Sequence, residues 1–402
     1  MKGLLPVTAL SVFCACSKGS TSSPTCVQVE VPATTDNTIG ILVDSGPQCV
    51  GYTNGLFASV TFCMPGTTTC QTIDHLLVDT GSVGLRVLES ELQLDLPTVT
   101  NANGLPVAEC TPFVDGTMWG PLKRADVMMG GESAANLPIQ LIGESAYAMP
   151  DNCTGEPITN FETLDANGIL GVGVSLQDCG TPCAPNGYNY LYYGCSSAQS
   201  CKPSLLSLAN QVAHPVAAFP IDNNGTIIQL PSISAGGEPS VTGLLIFGIG
   251  TQPNNGLGAA TVLAIDEKGY VNTTFPVGGT KSYSSYIDSG SNGLFFLDAA
   301  TSNLQQCTGK YLKDFYCPTS TTFLNATLWS TNNGASVDIQ FSVANASTLN
   351  ARAYAISNLA GPMPGFSSFF DWGLPFYYGR NVYTGIEDRS TPDGVVGPYF
   401  AF

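Results

Sequence analysis

Two stretches of the sequence, far apart in the chain, carry nearly the same ten residues. Residues 78–87 read VDTGSVGLRV and residues 287–296 read IDSGSNGLFF, so five of the ten positions are identical and Asp79 and Asp288 lie 209 residues apart. Solenoid repeats have periods of roughly 20–50 residues, far shorter than this separation. The pattern therefore predicts a duplicated domain in which each copy contributes one loop to a shared centre.

The composition fits a globular protein of two similar lobes. A chain of 402 residues is too long for one ordinary core. Its 13 basic and 30 acidic residues give a net charge of -17, which argues against nucleic acid or an anionic membrane surface as a partner. Because carboxylates lose their mutual repulsion when they are protonated, this composition suits an acidic medium.

The first sixteen residues, MKGLLPVTALSVFCAC, predict an export signal. They combine one lysine, a short apolar stretch and a small residue before Cys16, and they are too short to span a bilayer. FCAC resembles the lipobox of bacterial lipoproteins, which predicts acylation of Cys16, and simple signal cleavage stays an alternative. We expect an exported bacterial protein, either an outer-membrane lipoprotein or a secreted or periplasmic protein, that touches the membrane only through a lipid anchor.

Short apolar or alternating runs separated by Gly, Pro, Asn and Asp predict an all-β fold with few short helices. The predicted organisation is a signal peptide (1–16), a tether (17–40), an N-terminal β lobe (41–214) and a C-terminal β lobe (215–402). The leucine spacing in residues 204–212, SLLSLANQV, predicts a helix. Residues 369–379, FFDWGLPFYYG, are ambiguous because glycine and proline interrupt the pattern.

Cysteine usage predicts disulfides. Of fourteen cysteines, two belong to the signal, and an even number in an exported chain favours disulfide pairing. Cys63 with Cys70, and Cys307 with Cys317, are expected to close small loops. Four further cysteines lack the two-residue spacing typical of zinc sites, so disulfides are favoured over zinc there and no metal or cofactor is expected. These four are Cys179, Cys183, Cys195 and Cys201.

The duplicated loops suggest acid–base chemistry. If they meet in a cleft, Asp79 and Asp288 cannot both ionise comfortably at short range and would share one proton. The carboxylate can then take a proton from a water that attacks an amide carbonyl, while its protonated partner donates to the developing oxyanion. No covalent intermediate is needed.

The residues that follow each aspartate suit this chemistry. The glycine lets backbone amides approach the carboxylates, the serine after it donates to their outer oxygens, and the first hydroxyl residue bonds across to the opposite loop. These supporting residues are Thr80, Gly81 and Ser82 in the first loop and Ser289, Gly290 and Ser291 in the second.

From about residue 51 to its end, the sequence resembles the pepsin-like aspartic proteases. Residues 55–87 are similar to their amino-terminal hairpin and first catalytic loop, and residues 167–173, NGILGVG, to the segment that threads beside that loop. Further similar segments are residues 207–221, 243–250, 372–389 and 393–400. The resemblance implies a bilobal all-β fold, endopeptidase activity without a metal, and Asp79 and Asp288 as the catalytic dyad. We expect a monomer that acts on polypeptide substrates. The lipobox also resembles that of a bacterial family of uncharacterised exported proteins.

The chain departs from the family at the flap. Residues 113–127 have the expected glycines but lack the usual tyrosine, so the predicted substrate-binding flap residues are Phe113, Gly116 and Trp119, with either aromatic ring as the cover. Arg86 stands where a tryptophan normally completes the hydrogen-bond network of the flap. Loss of that contact could slow turnover or change the substrate without disabling the dyad.

Pepsin-like folds also serve as non-catalytic surface proteins, such as inhibitors or ligand-binding modules, and this is the alternative function. Both aspartate loops are intact, which favours the peptidase. A serine hydrolase is disfavoured because the sequence has no G-x-S-x-G motif. His75 is interpreted as a strand residue and His214 as part of the lobe junction.

Overall fold

The computed structural model describes residues 30–188, 190–276, 281–310, 312–332, 334–363 and 369–402. The predicted signal peptide, its acylation site Cys16 and the first part of the predicted tether lie outside these residues. The first strand begins at Thr38, still inside the segment predicted as tether.

Within the described residues the chain forms twenty-three strands and only two α-helices of one turn each, which confirms the all-β class. The strands are β1 (Thr38–Asp44), β2 (Gly55–Cys63), β3 (Cys70–Asp79), β4 (Val83–Leu88), β5 (Val107–Pro112), β6 (Thr117–Met129), β7 (Glu132–Ile142), β8 (Pro157–Ile158), β9 (Gly168–Val172), β10 (Tyr192–Ser197), β11 (Ser200–Pro203), β12 (Gly225–Leu230), β13 (Val241–Phe247), β14 (Val262–Ala264), β15 (Val271–Phe275), β16 (Lys281–Ile287), β17 (Leu294–Phe296), β18 (Thr322–Trp329), β19 (Ser336–Val343), β20 (Ala360–Gly361), β21 (Phe369–Trp372), β22 (Arg380–Gly385) and β23 (Tyr399–Ala401). The helices are α1 (Phe161–Leu164) and α2 (Ala299–Ser302), and the short 3-10 turns are Pro47–Cys49, Glu89–Glu91, Thr181–Cys183, Leu208–Asn210, Val216–Ala218, Ala346–Thr348 and Leu374–Phe376.

The helix predicted at residues 204–212 is wrong. Only Leu208–Asn210 forms a 3-10 turn there, because tertiary hydrogen bonds hold the following backbone. The carbonyl of Val212 accepts from the amide of Asp178, and the side chain of Gln211 is fully buried and bonded to the backbone of Gly180. These contacts outweigh the helical spacing of the leucines. The ambiguous segment 369–379 contains β21 followed by the 3-10 turn at Leu374–Phe376.

The described strands form two sheets. The larger has sixteen strands in the order β11-β10-β5-β6-β7-β4-β9-β3-β2-β1-β13-β12-β22-β23-β14, with β8 paired to β6. The smaller has seven strands in the order β19-β18-β15-β16-β21-β17-β20. Since β1 pairs with β13, the larger sheet joins strands from both halves of the chain.

The two aspartate motifs lie in the same arrangement of three strands. β3 ends at Asp79 and β4 follows it, while β9 lies between them, parallel to β3 and antiparallel to β4. In the second half β16 leads into Asp288 and β17 follows, while β21 lies between them, parallel to β16 and antiparallel to β17. The duplication seen in ten residues of sequence therefore extends to the pairing of the strands.

The predicted disulfides are present among the described residues. Five bridges are Cys63–Cys70, Cys110–Cys153, Cys179–Cys183, Cys195–Cys201 and Cys307–Cys317. Cys49 is disulfide-bonded as well. Bonds of this kind persist in oxidising compartments, which places the protein outside the cytosol. Within the described part of the chain, no helix has the length and apolar character needed to cross a bilayer.

Close backbone packing beside the second loop predicts that any side chain at Gly373 destabilises the protein. A Cβ at Gly373 would lie 2.1 Å from the carbonyl oxygen of Gly293 and 2.6 Å from that of Ser291. We expect Gly373→Ala to lower the free energy of unfolding in urea by about 1–3 kcal/mol. The matched control is Gly236→Ala, because a Cβ there meets nothing within 4 Å. Equal effects of the two substitutions would contradict this packing argument.

Candidate active site

The structure brings the two predicted aspartates together. Asp79 is 7% exposed and Asp288 is partly buried. A Cβ at Gly81 would lie 2.9 Å from Cγ of Asp288, and a Cβ at Gly290 would lie 2.6 Å from Oδ1 of Asp79. Each loop glycine therefore rests against the carboxyl group of the opposite loop, and a side chain at either position would separate the two acids.

Each carboxyl group accepts the same two hydrogen bonds from its own loop. Asp79 accepts from the amide of Gly81 at 2.8 Å and from the hydroxyl of Ser82. Around the second aspartate, the amide of Gly290 donates at 2.8 Å and the hydroxyl of Ser291 donates at 2.9 Å. The glycine and serine of each loop therefore bond to the carboxyl group of that loop in the same way.

Crossed hydrogen bonds tie the two loops to each other. The amide of Thr80 donates to Oγ of Ser289 at 3.1 Å, and the amide of Ser289 donates to Oγ1 of Thr80 at 2.9 Å. Each hydroxyl then donates to a carbonyl of the opposite strand, from Thr80 to Ile287 at 2.9 Å and from Ser289 to Val78 at 2.7 Å. All four bonds are buried, so the spacing of the aspartates is rigidly fixed.

The surroundings of Asp288 favour its protonated form. Burial, followed by the negative charge of Asp79, raises the pKa of Asp288 well above its usual range. Two acids this close keep a proton between them over a wide pH range.

Two further residues of the site were not predicted from the sequence. The hydroxyl of Tyr377 lies 2.9 Å from Oγ1 of Thr80. The carboxyl of Asp371, on β21, shares a hydrogen bond of 2.7 Å with the hydroxyl of Ser291, and burial raises its pKa to about 7. By strand register Asp371 occupies the place of Ile169 in the first half. The sequence did contain one indication of its role, because the first half has the apolar Ile169 at the position where the second half has the acid Asp371.

The predicted flap is the hairpin between β5 and β6. Its turn is closed by the amide of Phe113, which donates to the carbonyl of Gly116 at 2.7 Å. Gly116 is required there, because a Cβ would lie 2.3 Å from the carbonyl oxygen of Glu156. The ring of Phe113 lies 5.5 Å from the guanidinium carbon of Arg86, which connects the hairpin to the strand that follows the first loop.

Trp119 lies in a different environment. It is 4% exposed, its indole nitrogen donates to the carbonyl of Tyr147 at 2.8 Å, and its ring packs edge-on against Tyr193. These contacts occupy both the indole nitrogen and the ring of Trp119. Phe113 is therefore the better candidate for the aromatic cover.

Arg86 belongs to a buried charge cluster behind the first loop. Its guanidinium lies 3.1 Å from Glu109 and 2.9 Å from Asp178, and all three side chains are almost fully buried. The hydroxyl of Tyr192 also donates to Asp178. Burial, followed by the charge of Glu109, raises the pKa of Asp178 well above its usual range. One cation therefore offsets two buried acids.

Both histidines have structural partners. Nε2 of His75, on β3, lies 3.3 Å from Oδ2 of Asp44. His214 is fully buried, and its Nδ1 accepts from the amide of Val216 at 3.1 Å. Their interpretation as structural residues agrees with these contacts.

We predict that Arg86→Met destabilises the protein by about 3–5 kcal/mol, because it leaves Glu109 and Asp178 buried without their cation. Chemical denaturation at neutral pH measures the change. The control is Arg352→Met, since Arg352 is exposed, and a change within about 0.5 kcal/mol is expected there. An Arg86→Met variant as stable as the control would show that the cluster is not held by its charge.

A family model matches residues 33–402 of the chain, and its description is Protein of unknown function (DUF3443). The matched region includes both aspartate loops and the flap hairpin. A comparison with curated proteins finds no match.

Proposed function

The chain belongs to this family of proteins of unknown function, and we propose from the geometry of its site that it is an aspartic endopeptidase with a bilobal, pepsin-like fold. The observation that supports this most strongly is the pair of adjacent carboxyl groups, each held by the same two donors of a duplicated loop. A binding surface has no need for two acids that must share one proton.

In the proposed reaction the two aspartates have different roles. Asp79, whose two oxygens accept from its loop amide and serine, is the carboxylate that takes a proton from the attacking water. Asp288, whose pKa is raised by burial and by Asp79, holds the shared proton and donates it toward the oxygen of the scissile carbonyl. As the C–N bond of the tetrahedral diol breaks, Asp79 passes its proton to the leaving amine. One hydroxyl of the diol returns its proton to Asp288 as the carboxylic acid product forms, which restores the starting state.

The substrate would be an extended polypeptide that enters between the loops and the hairpin. Gly81 is exposed, so the carboxyl pair can be reached from solvent on that side. Phe113 supplies an apolar ring at the hairpin. Arg86 lies next to this ring, but its guanidinium is buried and forms ion pairs with Glu109 and Asp178. We propose that this enzyme acts outside the cytosol, tethered through acylation of Cys16.

The proposal predicts that Asp79→Asn and Asp288→Asn each abolish hydrolysis of a denatured protein at acidic pH. General acid–base catalysis contributes about 10²–10⁴-fold in rate, so a loss of at least about a hundredfold is expected from each change. Release of acid-soluble peptides measures it. The control is Asp222→Asn, because Asp222 is also buried and bound by a hydroxyl, that of Thr251, but lies outside both loops.

The outcomes separate the two candidate functions. Hydrolysis that survives both loop substitutions would contradict the proposed dyad. A folded wild-type protein that is inert on denatured substrates at every pH would favour the non-catalytic surface binding protein.

A further inference from the structure

A single hydroxyl connects the carboxyl pair to a third buried acid. Oγ of Ser291 lies 2.9 Å from Oδ2 of Asp288 and 2.7 Å from Oδ2 of Asp371. A serine hydroxyl has one hydrogen, so it can donate to only one of these oxygens at a time. Both contacts are hydrogen bonds only when one of the two carboxyl groups carries a proton of its own.

The surroundings of Asp371 favour its neutral form. The residue is 6% exposed, and its Oδ1 is buried without a hydrogen-bond partner among the described residues. It lies in the middle of three strands, opposite Tyr286 of β16 and Phe295 of β17. An ionised carboxylate would leave that oxygen both charged and unpaired, which is costly in a buried site.

Within the described part of the chain, the titratable groups that face Asp371 supply no compensating positive charge. They are Asp79 and Asp288 of the pair, Tyr286 and Tyr377. Burial has the largest effect on the pKa of Asp371, the hydrogen bond with Ser291 lowers this pKa, and the charge of Asp79 raises it; together they bring it to about 7. Two arrangements satisfy both contacts of Ser291. The one that avoids a buried, unpaired charge on Asp371 has Asp371 donating to Ser291 and Ser291 donating to Asp288.

We infer that Asp371 is a positioning residue that, through Ser291, sets the upper pH limit at which the aspartate pair keeps its shared proton. This inference rests on the proposed peptidase function. Below neutral pH Asp371 is protonated and orients the hydroxyl of Ser291 toward Asp288. When Asp371 ionises, its charge opposes removal of the remaining proton from the pair. The catalytic form therefore persists closer to neutral pH than it would with two acids alone.

The duplicated strands supply a matched replacement. Ile169 occupies the equivalent place on β9, opposite Arg86 of β4, as Asp371 is opposite Phe295 of β17. Asp371→Ile thus introduces the residue that the first half already uses. Asp371→Asn keeps the shape and a donor toward Ser291 but cannot ionise.

The test is the pH dependence of kcat/KM on an unfolded polypeptide for wild type, Asp371→Asn and Asp371→Ile. In both variants we expect the midpoint of the alkaline limb to fall by about one pH unit or more. The loss of kcat/KM at neutral pH should then exceed the loss at acidic pH by at least about tenfold. Asp222→Asn, the control used for the dyad, should leave the midpoint in place.

A second measurement does not depend on hydrolysis. A carboxyl whose pKa rises on folding from 3.8 to about 7 stabilises the native state at low pH, and this contribution is lost as the pH rises between those values. The stability of Asp371→Ile relative to wild type should therefore increase from pH 4 to pH 7 and level off above. A relative stability that is constant over this range would overturn the inference.

The outcomes also separate the two proposals. An active wild type whose alkaline limb is unchanged in both folded variants overturns the role of Asp371 and leaves the peptidase intact. A wild type that is inert at every pH overturns the peptidase, and the pH limit with it.

Discussion

Thr80 and Ser289 each donate two of the four buried hydrogen bonds that join the two aspartate loops. The rest of the site depends on these four bonds. Bringing Asp79 and Asp288 together costs desolvation and charge repulsion, so the acids would separate if the backbone allowed it. The hydroxyl groups of Thr80 and Ser289 each accept a hydrogen bond from one amide and donate one to a carbonyl. Moving either loop would therefore break buried hydrogen bonds and cost free energy. A fully satisfied buried network of this kind is rigid because breaking one bond leaves a polar group unpaired.

The two halves repeat the same strand arrangement but differ in the charges behind it. In the first half Arg86, paired with Glu109 and Asp178, lies on the strand that follows the loop. In the second half the equivalent place is the apolar Phe295, and an additional acid, Asp371, lies on the middle strand. The duplicated framework thus holds the two carboxyl groups by the same contacts, while burial and the charge of Asp79 raise the pKa of Asp288.

Local patterns in the sequence were sufficient for part of this picture. The strands, the short-range disulfides and the bonds of each loop's glycine and serine to its own aspartate follow from residues within a few positions of each other. The helix predicted at residues 204–212 failed because bonds to distant backbone decide its conformation. Asp371 was not predicted because its contacts depend on the register between strands that are distant in sequence. It lies 80 residues from Ser291, with which it shares a hydrogen bond.

Site-resolved titration of the aspartate carboxyl groups by NMR, on protein labelled with ¹³C-aspartate, tests the central claim most directly. The account predicts that one group of the pair titrates far above the ordinary value of about 3.9, and that its titration moves toward that value when the other aspartate is replaced by asparagine. Two groups that each titrate near the ordinary value, with neither responding to loss of the other, would show that no proton is shared.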